Sequence, residues 1–168
     1  ISIDLNGPDL QITNASAPST GSAGQWLDFS YTVLNSGYST ASADWGDSIY
    51  LSTDALLDYN DIQLTTLWVS QFSPLEAGGT YSNNSSVYLP SDIAAGDYQL
   101  IISTDRWNSQ GETNEENNTF ALPITIDRYP ADLKVITAQA PSSASVGNSI
   151  DLSWTVRNDG TAAAKDRK

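Results

Sequence analysis

The sequence predicts an all-β protein, a sandwich of about seven strands, on three observations. Apolar residues alternate with polar ones in several segments, as at Leu27, Phe29, Tyr31 and Val33, which is the pattern of a strand with one buried face. Turn residues, such as the Asn-Ser-Gly at residues 35–37, separate these segments. No stretch of ten residues shows the 3.6-residue period of a helix.

The strands are predicted in chain order from this alternation. They span residues 9–16, 25–35, 46–53, 61–69, 79–89, 96–104 and 119–127. Pro123 lies inside the last one, and because proline has no N–H it predicts a sheet edge or a bulge there. Tyr98 follows Gly96-Asp97 and resembles the tyrosine corner of Ig-like sandwiches, with an ordinary core tyrosine as the alternative. We therefore expect an Ig-like β-sandwich.

An internal repeat sets the predicted domain organisation. Residues 9–41 and 132–164 align without gaps and are identical at 15 of 33 positions. Residues 1–7 are then the last strand and linker of an upstream repeat, and residues 8–128 form one complete repeat. Residues 129–164 begin the next repeat and stop after two strands, and residues 165–168 depart from the pattern. We expect the chain to be a slice of a longer protein.

The truncated repeat leaves two predicted strands, 132–136 and 149–157, without the rest of their sandwich. Their apolar residues cannot stay solvated without cost. We expect these strands to be disordered, or to pair with a neighbouring repeat or with another copy of the chain as strand complementation.

Composition excludes several classes of function. There are 7 Lys and Arg against 20 Asp and Glu, a net charge of −13, with no Cys and no His. Disulfides, thiolate or imidazole metal sites and Ser-His-Asp catalysis are thereby excluded. The negative charge argues against nucleic-acid partners, and the apolar runs are too short to insert a helix into a membrane.

Two loops concentrate the oxygen ligands that calcium prefers. The loop between the third and fourth predicted strands offers Asp54, Asp58, Asn60 and Asp61. The loop before the last strand offers Asp105, Glu112, Asn114 and Glu115. In an Ig-like sandwich the two loops lie at opposite ends. The alternative interpretation is solvated surface charge at both places.

Aromatic and carboxylate residues suggest two further functions. Trp45, Trp68 and Trp107 could form a platform on which a sugar stacks, with Trp45 better suited to the core and Trp107, in a polar loop, the best candidate for glycan contact. Glu112 and Glu116 could serve a glycosidase, which needs two carboxylates across a cleft. Both residues lie in one loop of a small sandwich, where no cleft is evident, so we do not expect the chain to be an enzyme.

An ordered set of motifs runs through residues 8–128 and resembles a known family. The motifs are Ile49-Tyr50-Leu51-Ser52-Thr53-Asp54, Asp58, Asp61, Leu89-Pro90, Gly96-Asp97-Tyr98, Asp105 and Glu112-Thr113-Asn114-Glu115-Glu116-Asn117-Asn118. Together they look like the CARDB domain (cell-adhesion-related domain found in bacteria). The resemblance implies Ig-like sandwiches in tandem within large secreted or surface proteins. Such modules act in adhesion or as spacers, some relatives are linked to calcium, and no catalytic signature carries over.

These observations favour a non-catalytic extracellular adhesion or spacer module, stiffened by calcium and able to form fibres. Its partners would be neighbouring repeats or complementing copies, with surface glycans as further ligands. The alternative is a carbohydrate-binding accessory module that uses Trp107.

Overall fold

The computed structural model describes residues 6–128, 131–160 and 164. It is all-β, with ten strands and a single 3-10 turn at Ser70–Phe72 in the described residues. The strands are β1 (Leu10–Ser16), β2 (Thr20–Ser22), β3 (Trp26–Asn35), β4 (Gly46–Ser52), β5 (Ile62–Trp68), β6 (Thr80–Tyr88), β7 (Gly96–Ser103), β8 (Thr119–Asp127), β9 (Leu133–Gln139) and β10 (Ser153–Asn158). Contacts divide the chain into two compact units, one ending at Asp127 and one beginning at Arg128.

The first unit is a sandwich of two sheets. One sheet has the order β1-β3-β6, and the other has the order β2-β8-β7-β4-β5. All pairs are antiparallel except β2 with β8, which run parallel. This division resembles the immunoglobulin pattern, in which strands A, B and E share one sheet and strands C, F and G share the other. The predicted fold class is confirmed, and each of the seven predicted strands is present with ends that differ by no more than one residue.

The core lies between the sheets and consists of the apolar residues whose alternation with polar residues predicted the strands. Leu27, Phe29, Tyr31 and Val33 on β3 are all buried. They face the second sheet, whose inward side chains are also buried: Ile49, Leu51, Leu100, Ile102, Ile124 and Ile126. Burial of apolar area at about 25 cal/mol per Å² is the main force holding the two sheets together.

Two local features follow the predictions, and one strand was missed. Tyr98 Oη donates to Ala94 O at 3.2 Å, the backward bond of a tyrosine corner. Pro123 pairs with Gln99 on one side, while β2 reaches only residues 125–127 on the other, so proline sits at a local edge. The strand that the sequence did not predict is β2, which is only three residues long and lies in a segment with the composition of a turn.

The described residues contain no helix with the length and apolar character needed to cross a bilayer.

The second unit repeats the β1–β3 pairing of the first. Leu133 pairs with Asn158 as Leu10 pairs with Asn35, and the register shifts after Val135 as it shifts after Ile12. The bonds at the strand ends also recur. Asn35 Oδ1 accepts from Asp9 N at 3.1 Å, and Asn158 Oδ1 accepts from Asp132 N at 3.0 Å. The β9–β10 pair therefore has the same register, irregularity and end bond as the β1–β3 pair.

Strands β9 and β10 pair with each other, an arrangement that the expectation of disorder or of pairing elsewhere did not include. Pairing with a neighbouring repeat or with another copy of the chain stays a prediction. Strand β10 begins at Ser153 rather than at residue 149. The equivalent first residues of β3 pair with β6, and the described part of the second unit contains no strand equivalent to β6. The apolar residues of β9 and β10 are exposed: Val135 on β9 is 63% accessible and Trp154 on β10 is 64% accessible, whereas the equivalent Ile12 and Tyr31 are 4% and 1% accessible. The predictions for residues 1–5 and for the tail at 165–168 lie outside the described residues.

Candidate functional site

One end of the sandwich fastens the chain segment that enters the first unit. The loop between β7 and β8, residues 104–118, reaches this segment through three hydrogen bonds. Glu112 Oε2 accepts from Leu10 N at 2.9 Å, Thr113 N donates to Pro8 O at 3.0 Å, and Asn117 Nδ2 donates to Asp9 Oδ1 at 3.0 Å. We call this contact the entry clasp. The loop thus fixes where the chain enters the domain.

The entry clasp contains an unusual carboxyl group. Burial raises the pKa of Glu112 to about 8, against a smaller lowering by the bond from Leu10 N, and the nearby charges of Glu115, Asp105 and Asp9 raise it further. Glu112 Oε1 is buried and has no hydrogen-bond partner among the described residues. The folded state therefore binds the Glu112 proton more tightly than a solvated glutamate does.

The predicted ligands in this loop mostly bind the loop's own backbone. Asp105 is buried and accepts from Ser109 N and Gln110 N, both at 2.9 Å. Glu115 Oε1 accepts from Glu112 N at 3.3 Å, and Asn114 Oδ1 accepts from Glu116 N at 3.0 Å. These bonds shape the loop.

The other predicted ligand loop, between β4 and β5, is held in the same way. Asp58 Oδ1 accepts from Asn60 N and Asp61 Oδ2 accepts from Asp58 N, both at 2.7 Å, so these three residues are brought together. Asp54 instead accepts from Leu56 N at 2.8 Å, close to the end of β4.

The β4–β7 register places the two loops at opposite ends of the sandwich, because Ser52 pairs with Gln99 and Ser48 with Ser103. In the residues that the structure describes, no three acidic side chains are grouped closely enough to hold a metal ion. Calcium binding stays a prediction for both loops.

A pair of tryptophans forms an aromatic surface on the five-stranded sheet. Trp68 and Trp107 stack with ring centroids 5.4 Å apart and planes 17° from parallel, and they are 63% and 53% exposed. Gly46 lies beneath Trp107, since a Cβ there would come within 2.7 Å of Trp107 Cζ3, and it pairs with Trp68 across β4 and β5. Trp45 is fully buried, as its assignment to the core predicts. We call the stacked pair the tryptophan platform.

A buried polar cluster joins the two sheets, and sequence reasoning missed it. Tyr31 and Tyr81 each donate to Asp47 Oδ2 at 2.6 Å, and Trp45 Nε1 donates to Tyr81 Oη at 3.2 Å. Burial raises the pKa of Asp47, while the two phenol bonds act in the opposite direction. The signal was in the alternation, which places Asp47 on the inward face of β4 with Ile49 and Leu51.

Comparisons with known proteins agree with this fold. The profile of the CARDB family matches residues 7–122. No curated protein matches the chain. The crystal structure of a CARDB domain of Pyrococcus furiosus in complex with di-metal ions has a TM-score of 0.54 and 16% identity, covering 76% of this chain and 95% of that one.

A second solved structure comes from Methanosarcina acetivorans, from a protein whose name proposes a cell surface location. It has a TM-score of 0.51 and 24% identity, covering 71% of this chain and 91% of that one. CARDB domains are a non-catalytic type of domain. With the family profile spanning most of the first unit, the chain belongs to the CARDB family.

Proposed function

We propose that this chain is a non-catalytic adhesion and spacer module from a long tandem-repeat protein that is secreted or held at the cell surface. The observation that carries the proposal is the recurrence, 123 positions later, of the β1–β3 register, its irregularity and its end bonds in β9 and β10. A chain that begins the same sandwich again is suited to forming an array of similar domains.

The entry clasp supports the spacer role. In the first unit the residues before β1 are tied to the sandwich by backbone and side-chain bonds from Glu112, Thr113 and Asn117. An equivalent loop in each copy would restrain the segment that precedes it. The joint between copies, residues 127–131, contains one proline and no glycine, which favours semi-rigid coupling.

The exposed apolar face of β9 and β10 supports a second part of the proposal. The equivalent face of β1 and β3 is covered by β4, β7 and β8 within one copy. We expect the same kind of sheet to cover β9 and β10, supplied by the continuing repeat or by another copy of the chain. Supply by another copy would link chains into a fibre.

Calcium is proposed as a stiffening ion. The oxygen-rich loops at residues 54–61 and 105–118 have the ligand chemistry that calcium uses in extracellular modules, where Kd is about 0.1–1 mM. The Pyrococcus furiosus CARDB domain was crystallised with di-metal ions, which makes the same question worth asking of this chain.

Scattering from a seamless array tests the spacer role. Because Asp132 aligns with Asp9, residues 9–131 can be joined end to end into chains of one, two and three copies. We expect the maximum dimension to grow by roughly 35–45 Å per copy, the length of a ten-residue strand plus its loops. A control array carries Gly-Ser residues at positions 128–131, and the native array should be measurably more extended. Equal dimensions for the two arrays, or a compact native pair, would contradict the proposal.

A further inference from the structure

Trp107, one of the two residues of the tryptophan platform, is held in place by contacts of the β7–β8 loop, whereas Trp68 belongs to β5. Asp105 and Asn108 adopt positive φ angles of 39° and 52° on either side of Trp107. These conformations cost free energy for residues other than glycine and persist only where surrounding contacts enforce them. The contacts are the Asp105 bonds to Ser109 N and Gln110 N, and the two bonds between the Gln110 amide and the backbone of Ala43.

Arg106 directly precedes Trp107 in the chain and has no acidic partner among the described residues. Arg106 is the single cation among residues 1–127, which contain sixteen Asp and Glu. Its Nε donates to Tyr50 Oη at 3.1 Å, its guanidinium lies 6.0 Å from the centroid of the Tyr50 ring, and it forms no ion pair within the described residues. Its remaining N–H groups are donors that a ligand can use.

We propose that Trp68, Trp107 and Arg106 form a binding site for the pyranose ring of a neutral glycan. The ring's C–H face packs on the exposed indole surface, and its hydroxyl oxygens accept hydrogen bonds from the Arg106 guanidinium. An apolar surface with a few fixed polar groups at its edge is the general form of a small-ligand site. Since the two indoles stack on each other rather than side by side, the platform accommodates one sugar ring.

Charge and solvation argue against other occupants. With sixteen acidic residues against one cation in residues 1–127, an anionic polysaccharide or an acidic protein is repelled at low salt. An apolar protein surface would bury Arg106 without an acceptor, which costs free energy. A neutral sugar avoids both costs, because it carries no charge and supplies hydroxyl acceptors.

Affinity electrophoresis of the 168-residue chain tests the site. Native gels contain laminarin, hydroxyethyl cellulose, galactomannan or no polysaccharide. We expect at least one of these neutral glycans to retard the wild-type chain. Trp68→Ala and Trp107→Ala should abolish the retardation, and Arg106→Gln should weaken binding about tenfold through loss of a charged donor.

The matched control is Trp26→Ala. Trp26 is 68% exposed and packs edge-on against Tyr88. Both residues lie on the three-stranded sheet, away from the tryptophan platform, so the loss of Trp26 should leave the retardation unchanged. Circular dichroism of each variant checks that it is folded, and Arg106→Gln provides the test should a tryptophan variant unfold. Absence of retardation of the wild type, or equal retardation of all variants, would overturn the proposal.

A change in oligomeric state by light scattering on Trp68→Ala would instead make the platform an interface between copies and would also overturn it. The glycan-site proposal and the spacer proposal are tested by independent experiments. Scattering from arrays does not depend on glycan binding, and gel retardation does not depend on how copies are joined.

Discussion

Glu112 and Leu10 are 102 positions apart in the chain, yet Glu112 Oε2 accepts a hydrogen bond from Leu10 N at 2.9 Å. The bond joins the loop before the last strand of the sandwich to the beginning of its first strand. A partly buried carboxyl group, whose other oxygen has no hydrogen-bond partner among the described residues, therefore holds the entry point of the domain.

The pKa of Glu112 predicts how stability changes with pH. Because the folded pKa of about 8 lies above the ordinary value of 4.5, the folded state holds more protons than the unfolded state between these values. The free energy of unfolding should then fall as pH rises from about 4.5 to about 8. Glu112→Gln keeps an acceptor for Leu10 N and cannot titrate, so its stability relative to wild type should rise across that range. Urea unfolding at several pH values measures the difference.

The control for this experiment is Glu116→Gln, which removes a charge from an exposed position in the same loop. It should leave the pH dependence of wild type in place. Parallel pH profiles for wild type and Glu112→Gln would show that Glu112 does not titrate in the way described.

Asp47 should be important for stability. In Asp47→Ala the phenols of Tyr31 and Tyr81 lose the acceptor that both use at 2.6 Å. Each buried donor left without an acceptor costs about 1–3 kcal/mol, so for the two phenols we expect a loss of roughly 2–6 kcal/mol in the free energy of unfolding. Asp44→Ala, at an exposed position nearby, should change it by less than about 0.5 kcal/mol. Urea denaturation compares the two, and similar losses would refute the role given to Asp47.

Gly46 should be required for the stacking of Trp107 on Trp68. An alanine Cβ at position 46 would lie 2.7 Å from Trp107 Cζ3, and such overpacking costs about 1–3 kcal/mol. Gly46→Ala should also reduce the circular dichroism signal that arises from coupling between two stacked indoles. In a Trp107→Ala background the same substitution should cost measurably less. Additive losses in the double variant would show that the two residues do not interact.

Calcium binding is expected to raise the melting temperature. At ten times Kd, one site adds about 1.4 kcal/mol, which corresponds to roughly 4–8 °C for a domain of this size. The comparison is between millimolar calcium and EDTA, for wild type and for Asp58→Asn in the β4–β5 loop. Asp28→Asn, an exposed position on β3, is the control. An unchanged melting temperature, together with no ion density at either loop, would remove calcium from the account.

The strands could be predicted because their signal is local. The alternation of apolar and polar residues indicates which face of β3 is buried. Its four apolar residues, Leu27, Phe29, Tyr31 and Val33, are all buried in the structure. Strand β2 escaped notice because three residues are too few to show alternation, and it forms through parallel pairing with residues 125–127 of β8, far along the chain.

The site contacts were harder to predict because they join distant segments. The polar loop around Trp107 predicts that this residue is exposed. Its stacking on Trp68, however, depends on the β4–β5 register, which places Trp68 opposite Gly46. The bond from Leu10 to Glu112 depends on the way the sheets close. The residue pattern within one segment indicates which face is buried, but the pairing register also depends on the connecting turns and on the partner strand.

An exchange between the two units tests most directly whether the 123-residue repeat marks successive copies of one sandwich. Residues 132–164 replace residues 9–41 of the first unit, which sets Trp154 in the place of Tyr31 and Asn158 in the place of Asn35. We expect urea to unfold the chimera in one cooperative transition, at a lower midpoint because the Tyr31 bond to Asp47 is lost. A chimera that shows no cooperative unfolding, with the circular dichroism of an unfolded chain, would contradict it.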